Sequence, residues 1–439
     1  MKRKIYDELI KWKNNTNNLK PLMILGVRQC GKTYIINEFC KNEFKNYKYV
    51  NLLKEDNIIE LYNSNLTSDE KYKRLKVLLN FDFDMEDTIL FIDEIQESEK
   101  LISELKYFCE EHNKVKIIVA GSLLGVKLKR SKSSFPVGKV KMLTMYPMDF
   151  EEFLIAFNEN NLIDCIKDCY LNNKQISNPV HEKALNFYRT YLITGGMPES
   201  VNNMINVQGN YIKYDTSILQ DIVESYFYDM RKYVESENEY LKIVRTYNSL
   251  PSQLANNSNK FQYSSISNDA RKREYESSLD WLNASNLVLK CKYAKVPNVP
   301  IEGFVDDDTF KLYLSDIGVL NNILKINIKD ILTDNLSLYR GVITENYVAN
   351  QLTCNGFDLY YWKNDKTAEI DFLIYTNDGI IPIEVKSGTS THSKSLTMYI
   401  DKYKPKYAIR LSLKDFGYNP DTKIKSVPLY ATFMIKNNN

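Results

Sequence analysis

The run Gly26-Val27-Arg28-Gln29-Cys30-Gly31-Lys32-Thr33 limits what this chain can fold into more than any other stretch. Lys20 to Leu25 before it runs apolar and extended, and Tyr34 to Cys40 after it has a helical pattern. The order is therefore strand, G-x-x-x-x-G-K-T loop, helix. Glycines let backbone N–H groups turn inward around a β-phosphate, Lys32 reaches the β- and γ-phosphates, and the Thr33 hydroxyl is a magnesium ligand. Gly26 to Tyr34 are thus the expected nucleotide-binding residues, with ATP and Mg²⁺ as the expected ligands.

About 60 residues on, Thr88-Ile89-Leu90-Phe91-Ile92 is the β-rich apolar run that a buried parallel strand needs, and it ends in Asp93-Glu94. Carboxylates at the end of a buried strand are costly unless used. Asp93 is expected to hold magnesium through water, and Glu94 to activate the water that attacks the γ-phosphate. A third strand, Val115 to Ala120, ends in Gly121-Ser122, which sets Ser122 where a γ-phosphate sensor would stand. Strands alternating with helices such as Leu101 to His112 predict an α/β fold with a doubly wound parallel sheet and ligands at the carboxyl ends of its strands.

With 439 residues the chain is long enough for about two to four domains. Its 58 Lys and Arg against 56 Asp and Glu give a net charge of +2, so no overall basic field points to nucleic acid. Any such binding must come from local patches. The seven cysteines are scattered and odd in number, which argues against a secreted disulfide framework, and Cys165 and Cys169 lack a second pair at zinc-site spacing. The basic start lacks an apolar segment, and no run reaches the roughly 18 apolar residues of a membrane span. A cytoplasmic protein without membrane contact is expected.

After Gly125 comes a basic, Ser-rich loop, Lys127 to Ser134, where Arg130 is either an arginine finger or a solvated side chain. From His181 to Tyr233 the pattern is helical, broken at Gly195-Gly196-Met197-Pro198, and suits a lid. Asn238 to Ala255 reads as a helix, Lys260 to Ile266 as a short strand, Ser267 to Asn283 as a helix pair and Leu287 to Ala294 as a strand. That order fits a winged helix, in which Arg271-Lys272-Arg273 would touch a phosphate backbone, or a spacer between domains.

The C-terminal part carries a second constellation. Glu345 lies on an amphipathic helix with Val342, Ile343, Tyr347, Val348 and Leu352 at helical spacing. Two β-rich runs, Glu369 to Tyr375 and Ile380 to Val385, flank Asn377-Asp378-Gly379. With Asp378 and Gly379 as the turn, Asp371 lies opposite Lys386 and diagonal to Glu384, all on one face. One reading is a metal site: Asp371 and Glu384 hold Mg²⁺ or Mn²⁺, Glu345 completes the shell, and Lys386 polarises the attacking water. The other is an ordinary Asp371–Lys386 salt bridge on a solvated face.

Together with Phe-Ile-Asp-Glu-Ile-Gln at 91 to 96, Phe-Pro-Val-Gly at 135 to 138, Gly-Gly-Met-Pro at 195 to 198 and Glu-Ile-Asp-Phe with Ile-Glu-Val-Lys at 369 to 386, these motifs carry a resemblance. The chain resembles prokaryotic AAA-like (AAA_14) ATPases with a C-terminal DUF4143 domain related to the PD-(D/E)xK nuclease fold. The resemblance implies a RecA/AAA-like P-loop core over 1–180, a helical lid over 181–235, a winged-helix domain over 236–300 and a restriction-endonuclease-like α/β domain over 301–439. It maps the nuclease acids and lysine onto Glu345, Asp371, Glu384 and Lys386. The expected function is an ATPase coupled to a domain that binds or cleaves DNA. The alternative is a nucleotide-dependent switch whose last domain is an inactive protein- or DNA-interaction module, with a homo-oligomer or protein partner possible.

Overall fold

The computed structural model describes residues 1–15, 19–130, 135–234, 236–255, 260–336, 339–364, 368–389 and 393–437, with the side chains of Lys129 and Arg130 excepted. The expectations for Arg130 and for Ser131 to Ser134 lie outside the described residues. The chain forms two compact bodies: Lys2–Tyr146 with Ala284–Asn286, and Pro147–Asn283 with Leu287–Asn439 and Met1.

The first body runs α1 (Ile5–Asn14), β1 (Leu22–Leu25), α2 (Lys32–Glu43), β2 (Asn46–Asn51), α3 (Asp56–Asn63), α4 (Ser68–Leu79), β3 (Thr88–Asp93), α5 (Glu99–Glu110), β4 (Ile117–Ala120), α6 (Leu124–Arg130) and β5 (Lys141–Thr144). Its sheet has the order β2-β3-β4-β1-β5, and every pairing is parallel. This is the α/β parallel sheet that the alternating pattern implies. The central strands are apolar because both faces are covered: all six residues of β3 are buried. The edge strands β2 and β5 are mixed in character, since an edge leaves half of each residue near water. Met23, Leu90, Ile92, Val119, Leu101 and Leu105 lie in the core that joins this sheet to its helices. Strand β4 stands between β1 and β3, so the loops after all three open at one sheet edge.

In the second body, α7 (Phe150–Ala156), α8 (Asn160–Asn172), α9 (Asn178–Thr194), α10 (Pro198–Asn206), α11 (Ser217–Lys232), α12 (Glu237–Leu254) and α13 (Lys272–Ala284) precede β6 (Val288–Ala294) and β7 (Val305–Leu314). Then follow α14 (Ile317–Ile323), α15 (Ile328–Leu332), α16 (Tyr339–Cys354), β8 (Leu359–Lys363), β9 (Glu369–Thr376), β10 (Gly379–Val385), α17 (Lys394–Tyr403), β11 (Ala408–Ser412), β12 (Gly417–Asn419) and β13 (Ile424–Pro428). The strands form one sheet in the order β12-β13-β11-β10-β9-β8-β6-β7.

Three boundaries differ from the sequence expectation. The first body closes at Tyr146 rather than at 180, because Phe150 and Phe153 pack edge-on against Tyr191, and Phe150 also meets Tyr347, all within the second body. Strand β6 pairs with β7 on one side and β8 on the other, so the wing and the C-terminal strands share a sheet across residue 300. Residues 260–266 contribute a 3₁₀ turn at Tyr263–Ser265 instead of a strand, and a single helix, α13, stands where a helix pair was expected.

The break at Gly195 has a physical cause. Gly195 has φ +63°, and a Cβ there would stand 2.1 Å from Asp316 Oδ1. Asp316 is buried; its Oδ2 accepts from Gly196 N at 2.7 Å and its Oδ1 from Val319 N at 2.9 Å, the latter capping α14. Burial raises its carboxyl to about 6, against the lowering effect of the backbone donors. A raised acid stabilises the fold fully below its unfolded value, and that stabilisation fades as pH rises through about 6. The advantage of wild type over Asp316→Asn in urea unfolding should therefore narrow by about 3 kcal/mol between about pH 4 and pH 7. A constant difference across that window would contradict it.

Candidate functional site

At the end of β1 the chain makes a loop that only a few residue types allow. Gly26 has φ +145°, and a Cβ on it would lie 2.2 Å from Met145 O. Gln29 (φ +63°) and Gly31 (φ +96°) also take left-handed conformations, and α2 begins directly after Gly31. The first backbone N–H groups of a helix have no partner within the helix, so its start at Lys32 favours an anion. The Lys32 ammonium is buried and donates to Gly26 O and Val27 O, both at 2.8 Å, so it stands within the loop. Val27 and Cys30 are buried, whereas Arg28, Gln29, Thr33 and Tyr34 face outward, Tyr34 with 57 % exposure.

Across from the loop, Thr33 Oγ1 donates to Asp93 Oδ2 at 2.7 Å. Asp93 is buried at the last position of β3, and Glu94 follows at φ +55°, which turns its side chain away from the strand direction. Burial pushes the Glu94 carboxyl up; the hydrogen bond from Gln96 opposes this, the Asp93 charge adds to it, and Lys32 and Arg28 pull it down. A carboxyl raised in this way is suited to taking a proton. The hydroxyl and carboxylate of Thr33 and Asp93 are an all-oxygen donor set of the kind that a hard cation such as Mg²⁺ takes. Ser122 follows β4, between the strands that carry the loop and the acids.

Three further residues belong to this site. Tyr49, on β2, donates to the same Asp93 Oδ2 at 3.2 Å. Burial pushes its phenol up and the Asp93 charge adds to that. Gln96 donates through Nε2 to Glu94 Oε2, and its side-chain oxygen lies against Gly121, where an added Cβ would come within 2.0 Å. Arg3 is buried and donates to Cys30 O at 2.9 Å and Tyr146 O at 2.7 Å, which ties the chain start to the phosphate loop. Only Gln96 had a signal in the sequence, its place three residues after Asp93.

The second constellation is assembled differently from the expected one. The β9–β10 ladder runs from Gly379↔Thr376 to Ile383↔Phe372, so the turn is Asn377-Asp378 and the next position sets Asp371 opposite Glu384, not Lys386. The shift of two residues keeps the same face, because side chains alternate. The turn forms there because Thr376 Oγ1 accepts from Asp378 N at 3.2 Å, and Gly379 carries the positive φ as the first strand residue. Lys386 Nζ donates to Glu384 Oε1 at 2.6 Å, so the expected Asp371–Lys386 bridge is replaced by a Glu384–Lys386 one. Asp371 Oδ2 accepts from Val385 N at 2.7 Å. Its carboxyl lies well above the usual range through burial and the charges of Glu384 and Glu345, which outweigh Lys311 and Val385 N.

Glu345 sits on α16, as expected, but is turned to residues that the pattern did not flag. Lys311 Nζ donates to Glu345 Oε1 at 2.9 Å and pairs with Glu369 Oε1 at 2.6 Å, and Tyr313 OH donates to the same Glu345 oxygen. Burial alone would pull Lys311 down, but the charges of Glu345, Glu369 and Asp371 hold it well above its ordinary value. Among the described residues, no group of three or more His, Cys, Asp or Glu side chains is gathered closely enough to hold an ion. The acids Glu345 and Asp371 thus share their surroundings with the Lys311 ammonium, which the expected metal shell did not include. Cys165 and Cys169 are free thiols. Arg271, Lys272 and Arg273 are exposed at the start of α13, with Lys272 paired to Asp308. Among the described residues, no helix is long and apolar enough to cross a membrane.

Residues 18–154 match the AAA_14 family, described as an AAA domain. Residues 185–330 match DUF8612 and residues 340–431 match DUF4143, both domains of unknown function. Of solved structures, the Walker-type ATPase of Pyrococcus abyssi is 17% identical, with 73% of this chain and 94% of that chain covered and a TM-score of 0.43. The ORC2 protein of Aeropyrum pernix, in ADPNP–ADP complexes, is 12% identical over 76% of this chain and 94% of that chain, with a TM-score of 0.38. Cdc6p from Pyrobaculum aerophilum is 12% identical over 76% and 94%, with a TM-score of 0.29. All three scores are low and the likenesses distant. Among curated proteins, none matches the chain. The chain contains an AAA ATPase domain and a C-terminal DUF4143 domain.

Proposed function

We propose that the AAA domain binds and hydrolyses ATP with Mg²⁺ in the cytoplasm, and that the cycle governs a C-terminal nuclease-like domain that engages DNA. The observation that carries the ATPase reading is the 2.7 Å contact between Thr33 Oγ1 and Asp93 Oδ2, beside the buried Lys32 and the raised Glu94. Lys32 neutralises the β- and γ-phosphates, and the N–H groups from Gly26 to Tyr34 cradle them. Thr33 and Asp93 would hold Mg²⁺, which when bound neutralises charge on the phosphates. Glu94 takes the proton of the attacking water, and Ser122 reads the γ-phosphate.

Calorimetric titration with ATP is the direct test: the wild type should bind nucleotide, and a wild type that binds none ends the proposal. Tyr49 orients Asp93 in this reading. Tyr49→Phe should slow Mg²⁺-dependent turnover about tenfold and leave ATP affinity in EDTA unchanged. Equal loss under both conditions would assign Tyr49 to folding of the loop instead.

For the C-terminal domain, relation to the PD-(D/E)xK fold is supported by Glu345 on a helix, Asp371 on a strand, and Glu384 and Lys386 at the end of the adjacent strand. DNA contact is further supported by the exposed Arg271 and Arg273 at a helix start. A second reading, a module that binds DNA or a protein without cutting, is favoured by the diversion of Glu345 to Lys311. The two separate when plasmid, single-stranded and branched DNA are incubated with the protein, ATP and Mg²⁺ or Mn²⁺. Strand breaks that disappear in Glu384→Ala support cleavage; retention of intact DNA supports the module.

A further inference from the structure

The acid cluster of the C-terminal body contains a cation of its own. Lys311 has no exposure to solvent, yet its Nζ lies 2.9 Å from Glu345 Oε1 and 2.6 Å from Glu369 Oε1. It also stands 5.0 Å from the centre of the Tyr361 ring, a further favourable place for an ammonium. Strand β7 brings it from outside the segment that carries the acids.

One oxygen of each of the other three acids is engaged. Glu345 Oε1 takes Lys311 and Tyr313, Glu384 Oε1 takes Lys386, and Asp371 Oδ2 takes Val385 N. Glu384 Oε2 is buried with no hydrogen-bond partner. Mg²⁺ keeps several waters but needs one or two carboxylates free to turn toward it. An ion entering this space would meet Glu345 and Glu369 with their charge already partly offset by Lys311, and would be repelled by the ammonium itself.

We propose that Lys311 is the resident cation of this cluster and that the C-terminal domain works without a divalent ion. The proposal rests on the reading of the domain as nuclease-like and does not depend on whether its partner is DNA. It differs from the metal site that the motif alone implies, since the lysine stands in for the metal and keeps the acids together.

The test is Mn²⁺ binding to the full chain, followed by electron paramagnetic resonance of free Mn²⁺ in the absence of nucleotide. Wild type, Asp371→Ala and Glu384→Ala should bind the same number of ions with the same affinity. An ion present in wild type and lost in both variants overturns the proposal. Lys311→Met should gain one Mn²⁺ per chain, at least tenfold tighter than any wild-type site, and the gain should vanish when Glu384→Ala is added. A folded Lys311→Met that gains no ion also overturns it. If Lys311→Met does not fold, the comparison of wild type with Asp371→Ala and Glu384→Ala decides by itself. DNA binding is not the readout, so its failure leaves this result intact.

Discussion

Glu94→Gln should bind ATP as tightly as wild type and hydrolyse it about 10²- to 10⁴-fold more slowly, the usual worth of a positioned proton acceptor. The amide is nearly the same size, so the αL turn after β3 and the contact with Gln96 can persist while the proton-accepting oxygen is lost. Lys32→Ala should behave oppositely, losing nucleotide affinity, because its ammonium is the only Lys32 group placed inside the loop, against Gly26 O and Val27 O. Calorimetry and phosphate release on both variants, with circular dichroism as a control for folding, distinguish the roles. Wild-type turnover in Glu94→Gln would move the proton acceptor to another residue.

Lys311→Met should lower stability by about 3–5 kcal/mol, the range for removing one partner of a buried ion pair. The side chain has no exposure, and methionine fills much of its volume, so the loss comes from Glu345 and Glu369 left without their counter-charge. Adding Glu345→Gln should restore part of it, because one of the stranded charges is removed. A thermal melt of wild type, single and double variants measures this. A single variant as stable as wild type would mean that the pair is offset by its own desolvation.

The parts of the nucleotide site that were legible in the sequence are contiguous in the chain. Leu22 to Thr33 states its strand, loop and helix locally, and Thr88 to Glu94 is apolar until the acids because β3 is covered on both faces. Edge strands gave a weaker signal. Asn46 to Asn51, polar at three of its six positions, forms an edge strand against the backbone of β3. The hairpin turn falls at Asn377-Asp378, one residue before the expected Asp378-Gly379, which is also a good turn pair; Asp378 N donates to Thr376 Oγ1 in the turn that forms.

By itself the sequence determined the phosphate loop, the acids after β3, and the shared face of Asp371 and Glu384, since each depends on residues within a few positions or on the alternation of a strand. Only the tertiary structure decided what those acids face. Tyr49 meets Asp93, Arg3 meets Cys30, and Lys311 meets Glu345 across sequence separations of 44, 27 and 34 residues. A lysine in Val305 to Leu314 reads as a solvent-facing residue; with its side chain shut off from water, the ammonium needs the nearby carboxylates to be stable there.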